Sequence, residues 1–256
     1  PYGKYSTEAI FKALHVDELK KFYDQYYTNG KCVIFAAGRF PANFESLLNQ
    51  HIGALSLTKS TMEVPEHAIV PALEKQYEIV NDPTSVQGSI RIARPFHNRK
   101  HPDFAATQVL NTLFGGFFGS RLMSNIREDK GYTYGIHSYL QNHIDTSAWM
   151  ISTDAGKDVC KATIDEVYKE MRILCETLVS KEELELVKNY MLGSLLGDVD
   201  GPFQIIGRWK TYILNGLTDA YFYNTIKTVR SIQPEEIQSL ANKYLQPEAF
   251  YELVVY

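Results

Sequence analysis

The stretch Gly115-Gly-Phe-Phe-Gly-Ser-Arg-Leu-Met-Ser-Asn-Ile-Arg-Glu-Asp-Lys-Gly-Tyr-Thr-Tyr-Gly135 combines two sets of glycines with a short helical pattern between them. Because glycine permits sharp turns, we predict a turn, a short helix, a second turn and the start of a strand. The helix carries Arg121 and Arg127, and the strand opens with Tyr132 and Tyr134. A cation and phenol donors are therefore expected close together.

Outward from this stretch, apolar periodicity predicts an α+β domain. Five segments have the alternating or continuously apolar pattern of strands: 76–80, 86–94, 134–140, 147–153 and 250–255. Six segments have helical spacing: 104–114, 157–178, 180–196, 202–214, 219–226 and 233–244. This order predicts a largely antiparallel sheet packed on one side by helices.

The first quarter of the chain has a different organisation. The sequence pattern of residues 1–57 predicts helices around a single buried strand at 32–38. A single strand cannot form an independent sheet. We therefore expect 1–57 to be the C-terminal tail of an upstream domain, 58–74 to be a linker, and 75–256 to be a complete second domain. A faint repeat supports this division, since the helical pattern at 16–27 resembles that at 234–245.

Composition excludes several classes of partner. The 256 residues are 45% hydrophobic and 22% charged, with a net charge of −4 and no basic block. These values fit a globular core and argue against a nucleic-acid partner. No apolar run approaches the ~20 residues that span a bilayer, so no membrane span is expected. The compartment is not fixed by the sequence, and a bacterial cytoplasm or periplasm is our expectation.

Metal and nucleophile motifs are absent from the sequence. Neither H-E-x-x-H nor H-x-x-E-H occurs, and no G-x-S-x-G motif occurs. His97 and His101 have i, i+4 spacing, but Pro102 follows them, so we interpret the pair as part of a loop. The three cysteines lack C-x-x-C spacing. We therefore predict no metal site in this chain.

The arginine–tyrosine pattern allows two interpretations. A guanidinium at Arg127 offers planar donors for a carbonyl or carboxylate, and the Tyr134 phenol can donate to an oxyanion. Alternatively, Arg127 pairs structurally with Glu128 or Asp129 while the tyrosines pack on the sheet. The pattern alone leaves both open.

The run from Gly119 to Gly135 closely resembles the second-domain signature of the pitrilysin-type (M16) zinc metallopeptidases. Residues 181–195 resemble a later helix of that domain, and residues 13–27 with the strand after them resemble the end of the family's first domain. The resemblance covers nearly the whole chain and implies an M16/LuxS-like metallopeptidase-domain architecture.

The resemblance also implies roles. In this family two halves enclose a peptide, one half holds zinc, and the other supplies an arginine and a tyrosine. Matching the motif assigns substrate-backbone binding to Arg127 and oxyanion stabilisation to Tyr134, with Tyr132, Gly116 and Phe117 as further substrate-binding residues. The expected substrate is a peptide or unfolded polypeptide.

The zinc helix of the family is missing from this sequence. The zinc helix could lie upstream of Pro1 or on a separate chain. We favour a homologous zinc-bearing partner half, in a heterodimer or homodimer, and expect no zinc bound by the present 256 residues. The expected function is therefore the non-zinc half of an M16-type metallopeptidase, inactive alone. The alternative is a non-catalytic scaffold or interaction subunit, related to processing-peptidase or respiratory core proteins.

Overall fold

The computed structural model describes residues 6–28, 32–55 and 70–256. The chain divides into two compact units, which comprise residues 1–71 and 72–256. Most of the linker expected at 58–74 lies outside the described residues, and only its last five residues fall within them.

In the described residues of the first unit, all of the regular secondary structure is helical. Its helices are α1 (Glu8–Ala13), α2 (Val16–Phe22), which continues as a wider π-type turn (Tyr23–Tyr27), and α3 (Phe44–His51). The predicted strand at 32–38 is wrong, because those residues form no ladder and are not buried. A strand needs a hydrogen-bonded neighbour, and the first unit offers none within 6–28 and 32–55.

The first unit also lacks a core in its described part. No residue of 6–28 or 32–55 is buried, and Phe11, Leu19 and Phe22 are each more than half exposed. The apolar face of α2 that the sequence predicts is thus formed but uncovered.

The second unit contains one five-stranded sheet. The strands are β1 (Gln76–Ile79), β2 (Gln87–Phe96), β3 (Thr133–Asn142), β4 (Ser147–Gly156) and β5 (Tyr251–Val255). Their order across the sheet is β1-β5-β2-β4-β3, with β1 and β5 parallel and the other neighbours antiparallel. The mostly antiparallel sheet confirms the predicted fold class and leaves β3 at one edge.

Helices that lie between the strands along the chain cover one face of this sheet. They are α4 (Phe104–Asn111), extended by a π-type turn (Thr112–Gly116), α5 (Cys160–Glu176), α6 (Lys181–Gly197), α7 (Pro202–Leu214), α8 (Asp219–Ser231) and α9 (Pro234–Tyr244). Ser180 caps α6 by accepting from the Glu183 amide at 3.1 Å. Proline stands at the first turn of α7 and α9, where its missing N–H costs nothing.

The core lies between the sheet and the helices. Burial alternates along β2 and β4, so that one side of each strand faces inward. Ile92, Trp149 and Ile151 meet helix residues such as Leu110 and Met171 in a single buried cluster. The helical positions Phe104, Val109, Leu110 and Leu113, which the sequence marks as core, are all buried.

Candidate functional site

The candidate site is built on a short helix, residues 121–129, which we call the signature helix. Most of it, Met123–Asp129, has the wider π-type hydrogen bonding. Its end is sharp because Gly131 adopts a φ of 67°, a conformation that side chains disfavour. The Tyr132 amide then donates to the Ile126 carbonyl at 3.0 Å, which turns the chain back toward the sheet.

The first glycine pair places the start of this segment against the sheet. A Cβ at Gly115 would lie 2.7 Å from Ser138 Cβ and 2.8 Å from Leu122 Cδ1. Only glycine therefore lets the end of the α4 segment approach β3 this closely. A buried network reinforces the contact, since Ser138 Oγ donates to Asn111 Oδ1 at 2.8 Å and accepts from Trp149 Nε1 at 2.8 Å.

Two polar anchors fix the signature helix to other helices. Arg121 donates to both carboxylate oxygens of Glu183, at 2.7 and 2.9 Å, and Asn125 donates to Glu166 and Glu170 at 2.9 and 2.8 Å. Burial alone would lower the pKa of the Arg121 guanidinium, but the Glu183 carboxylate outweighs it and the pKa is raised. Arg121 therefore has a structural role.

Arg127 has a different environment, although it belongs to the same helix. Its guanidinium carbon lies 4.6 Å from the centroid of the Phe118 ring and 5.3 Å from that of the Tyr134 ring. No ion pair of Arg127 with an acidic side chain occurs in the described part of the chain, so neither Glu128 nor Asp129 neutralises it. The helix therefore presents one bound and one available arginine.

Tyr134 is turned outward by an irregularity in β3. The register against β4 shifts between Thr133 and Ile136, which is a β-bulge at the sheet edge. The Thr153 hydroxyl donates to the Gly135 carbonyl at 2.9 Å, and Thr133 Oγ1 donates to the Asp154 carbonyl at 2.7 Å. As a result the Tyr134 side chain is 91% exposed, beside Arg127.

The remaining predicted residues lie around this pair with different exposures. Gly116 is exposed, whereas Tyr132 and Phe117 are partly buried and pack against the core. Phe117 stacks on Tyr190 with ring centroids 4.8 Å apart. Besides Tyr134, the ring near the Arg127 guanidinium is that of Phe118, a residue that the sequence did not indicate as part of the site. Nothing in the adjacent pair of phenylalanines indicates which ring faces outward.

The arrangement offers donors rather than a nucleophile. The Tyr134 hydroxyl and the Arg127 guanidinium form no hydrogen bond with the described parts of the protein. Residues 6–28, 32–55 and 70–256 contain no group of three or more His, Cys, Asp or Glu side chains that could hold a metal. His97 and His101 stack face to face at 3.8 Å, and His101 Nδ1 accepts from the Asp103 amide at 3.1 Å. These residues do not fit a zinc site.

The fold and this site define an α+β domain that carries, at a sheet edge, an exposed tyrosine beside a half-buried arginine. Residues 13–191 match the family described as the peptidase M16 inactive domain, and the chain belongs to that family. This confirms the resemblance drawn from residues 119–135. No helix in the described part of the chain has the length and apolarity needed to cross a bilayer.

Relatives connect the chain to zinc-protease-like proteins. It is 26% identical over 205 residues to a protein of Bacillus subtilis (strain 168) named uncharacterized zinc protease YmxG, covering 76% of this chain and 48% of that protein. It is 23% identical over 191 residues to the non-peptidase homolog YmxG of Helicobacter pylori, covering 73% and 43%. The chain thus spans about half the length of these relatives.

A solved structure shows the same fold. The peptidase M16 inactive domain from Pseudomonas fluorescens superimposes with a TM-score of 0.77 at 21% identity, covering 97% of this chain and 59% of that one. The chain is therefore an inactive-type M16 domain related to proteins named zinc proteases.

Proposed function

We propose that this chain supplies Arg127 and Tyr134 to a peptide whose scissile bond is attacked from a homologous, zinc-bearing half. The zinc of that half would provide the activated water. The half-buried Arg127, which no carboxylate neutralises, and the exposed Tyr134 beside it carry this proposal, because a purely structural arginine would be paired as Arg121 is. The partner halves form a heterodimer or a homodimer.

Tyr134 is assigned to the oxyanion. When water adds to a peptide carbonyl, the oxygen gains negative charge, and a phenol O–H placed beside it donates a hydrogen bond that strengthens in the transition state. Loss of one such donor typically costs about 3 kcal/mol, or about a hundredfold in rate. The bulge in β3 supports this role, since it directs the Tyr134 side chain away from the domain.

Arg127 is assigned to the substrate backbone. Its donors can bind one or two peptide carbonyls, and the Phe118 and Tyr134 rings restrict the guanidinium without consuming those donors. A restricted side chain loses less entropy on binding than a free one. This explains why an arginine is held between aromatic rings rather than by a carboxylate.

The test combines the full-length parent of this chain with a zinc-bearing homologue from the same genome neighbourhood. Tyr134→Phe removes only the hydroxyl, and we expect kcat/KM for peptide cleavage to fall about a hundredfold with assembly unchanged. Tyr139→Phe, the same change at another exposed tyrosine of β3, is the matched control and should leave kcat/KM unaltered. Equal activity of the two variants would sink the proposal.

A scaffold or interaction subunit is the second candidate. It is favoured by the description of the family as inactive and by the relative named a non-peptidase homolog. In that case the mixture would assemble without cleaving peptides, and Tyr134→Phe would change neither property. An active assembly that is insensitive to Tyr134→Phe would point to a peptidase whose oxyanion donor lies elsewhere.

A further inference from the structure

A second site lies among the helices of the larger unit. A cavity of about 400 Å³ opens between α4, α6, α7 and α8. Its volume falls in the usual range for small-ligand sites, about 300–1,000 Å³. Neither the M16 signature nor the arginine–tyrosine pair uses it.

The cavity carries one uncompensated positive charge. Arg208 donates to Tyr212 Oη at 2.8 Å and forms an ion pair with Asp198, so its charge is neutralised locally. Arg99 also lines the cavity, over the Phe104 ring at 5.6 Å, and has no carboxylate partner in the parts of the chain that are described. The single unpaired positive charge in the lining suits a ligand group with one negative charge, since the carboxylate of Asp198 would repel a second negative charge.

Unused hydrogen-bonding groups surround that charge. Tyr221 lines the cavity beside Arg99, and its Oη is buried with no hydrogen bond of ordinary geometry to the described residues, although Arg99 lies close enough to lower the pKa of the phenol. Burial raises the pKa of the Tyr221 phenol, against the opposing effect of Arg99, so the hydroxyl remains a donor near neutral pH. Such a buried, unpaired hydroxyl is costly unless something binds it.

The lining also matches a peptide. Gln108 and Gln204 line the cavity, and their side-chain amides make no hydrogen bond within the described residues, so these amides are available to pair with backbone amides. Tyr190 adds an aromatic wall, and the same ring stacks on Phe117. Its neighbour Phe118 contacts Arg127, so residues 115–119, the glycine-rich loop, touch both the cavity lining and the arginine–tyrosine pair.

We propose that this cavity binds a carboxylate carried by a peptide, with Arg99 and Tyr221 as the groups that receive it. The carboxylate is either the peptide's C-terminus or an acidic side chain. The assignment rests on the proposed function only in taking the ligand to be a peptide. It adds an anchoring site that is linked to Arg127 through the glycine-rich loop.

The experiment uses the complete chain without any partner and three blocked dipeptides. These are acetyl-phenylalanyl-tyrosine with a free carboxylate, the same dipeptide with an amidated terminus, and acetyl-aspartyl-tyrosine amide, whose only carboxylate is on the side chain. Calorimetry and NMR shifts measure binding. We expect at least one acidic peptide to bind about tenfold or more tightly than the uncharged amide.

Variants locate the site. Arg99→Gln should weaken binding of the acidic peptide about tenfold or more, and Arg99→Lys should retain most of it. Lys100→Gln removes the same charge from the exposed neighbouring residue and should leave binding unchanged. The thermal midpoint of each variant shows that it is folded. The preferred acidic peptide identifies the source of the carboxylate.

Three outcomes overturn the proposal: no binding of either acidic peptide, equal binding of the uncharged amide, or equal effects of Arg99→Gln and Lys100→Gln. Because no zinc-bearing half is present, this result is independent of peptide cleavage. A failed Tyr134→Phe test leaves the cavity proposal standing, and loss of the cavity proposal leaves the oxyanion proposal standing.

Discussion

At the scale of single residues, the two arginines of the signature helix differ in what surrounds them. Arg121 has little exposed side chain and two hydrogen bonds from its guanidinium to Glu183. The Arg127 guanidinium makes no hydrogen bond or ion pair with the described residues and lies near the rings of Phe118 and Tyr134. The sequence separates them through the family resemblance, and the structure supplies the physical reason.

Replacement of Arg121 should therefore affect stability. Arg121→Met leaves the Glu183 carboxylate without its partner, and we expect the free energy of unfolding in urea to fall by about 2 kcal/mol. Arg172→Met, which removes an exposed arginine from α5, should stay within about 0.5 kcal/mol of the unmodified chain. A loss of similar size in both variants would contradict the anchoring role.

His97 predicts a dependence of stability on pH. Burial first, and the neighbouring His101 next, lower the pKa of His97 from 6.5 to about 4, while Asp103 opposes them and Lys243 and Arg94 reinforce them. Between these two pKa values the unfolded chain binds a proton that the native chain does not. The free energy of unfolding should therefore fall as the pH decreases from 6.5 to about 4.

Urea titrations across this pH range measure the effect. His97→Asn removes the titrating group, so its unfolding free energy should fall less steeply with acidification. His137→Asn changes an exposed histidine of β3, keeps His97 and should retain the full slope. Identical slopes in all three proteins would show that other groups cause the acid sensitivity.

At the scale of elements, glycines decide how the helices meet the sheet. We expect Gly115→Ala to lower the free energy of unfolding by about 2 kcal/mol or more, because its Cβ would overlap Ser138 and Leu122. Gly207 in α7 has open space around its Cβ position, so Gly207→Ala should raise the unfolding free energy by about 0.5–1 kcal/mol. Opposite signs in urea melts would confirm the distinction, and equal signs would contradict it.

At the scale of the whole chain, the two units differ in how much they bury. The larger unit has a continuous core, whereas the described residues of the first unit bury no side chain. Amide hydrogens of α1, α2 and α3 should therefore exchange far faster than those of β2 and β4 when the chain is isolated. Hydrogen exchange read by mass spectrometry tests this, and equal protection in both units would refute it.

We propose that the first unit is the tail of a preceding domain that would cover its apolar face.

Much of the larger unit was predictable because local patterns and tertiary packing agree there. The alternation along β2 and the spacing of Phe104, Val109 and Leu113 each report one buried face. The strand predicted at 32–38 is wrong because local pattern and tertiary packing disagree there. An apolar run becomes a strand only beside a partner strand. The choice of Phe118 over Phe117 could not be predicted, because adjacent residues carry no periodic signal.

The sequence by itself determined the α+β class, the family signature and the proximity of Arg127 and Tyr134, because these depend on residue type and short-range spacing. Only the tertiary structure decided the sheet order, the β3 bulge that exposes Tyr134, the pairing of Arg121 with Glu183, and the cavity around Arg99. Each of these joins residues that lie far apart in the chain or depends on strand register. Such contacts are set by packing of the whole domain and leave no local pattern in the sequence.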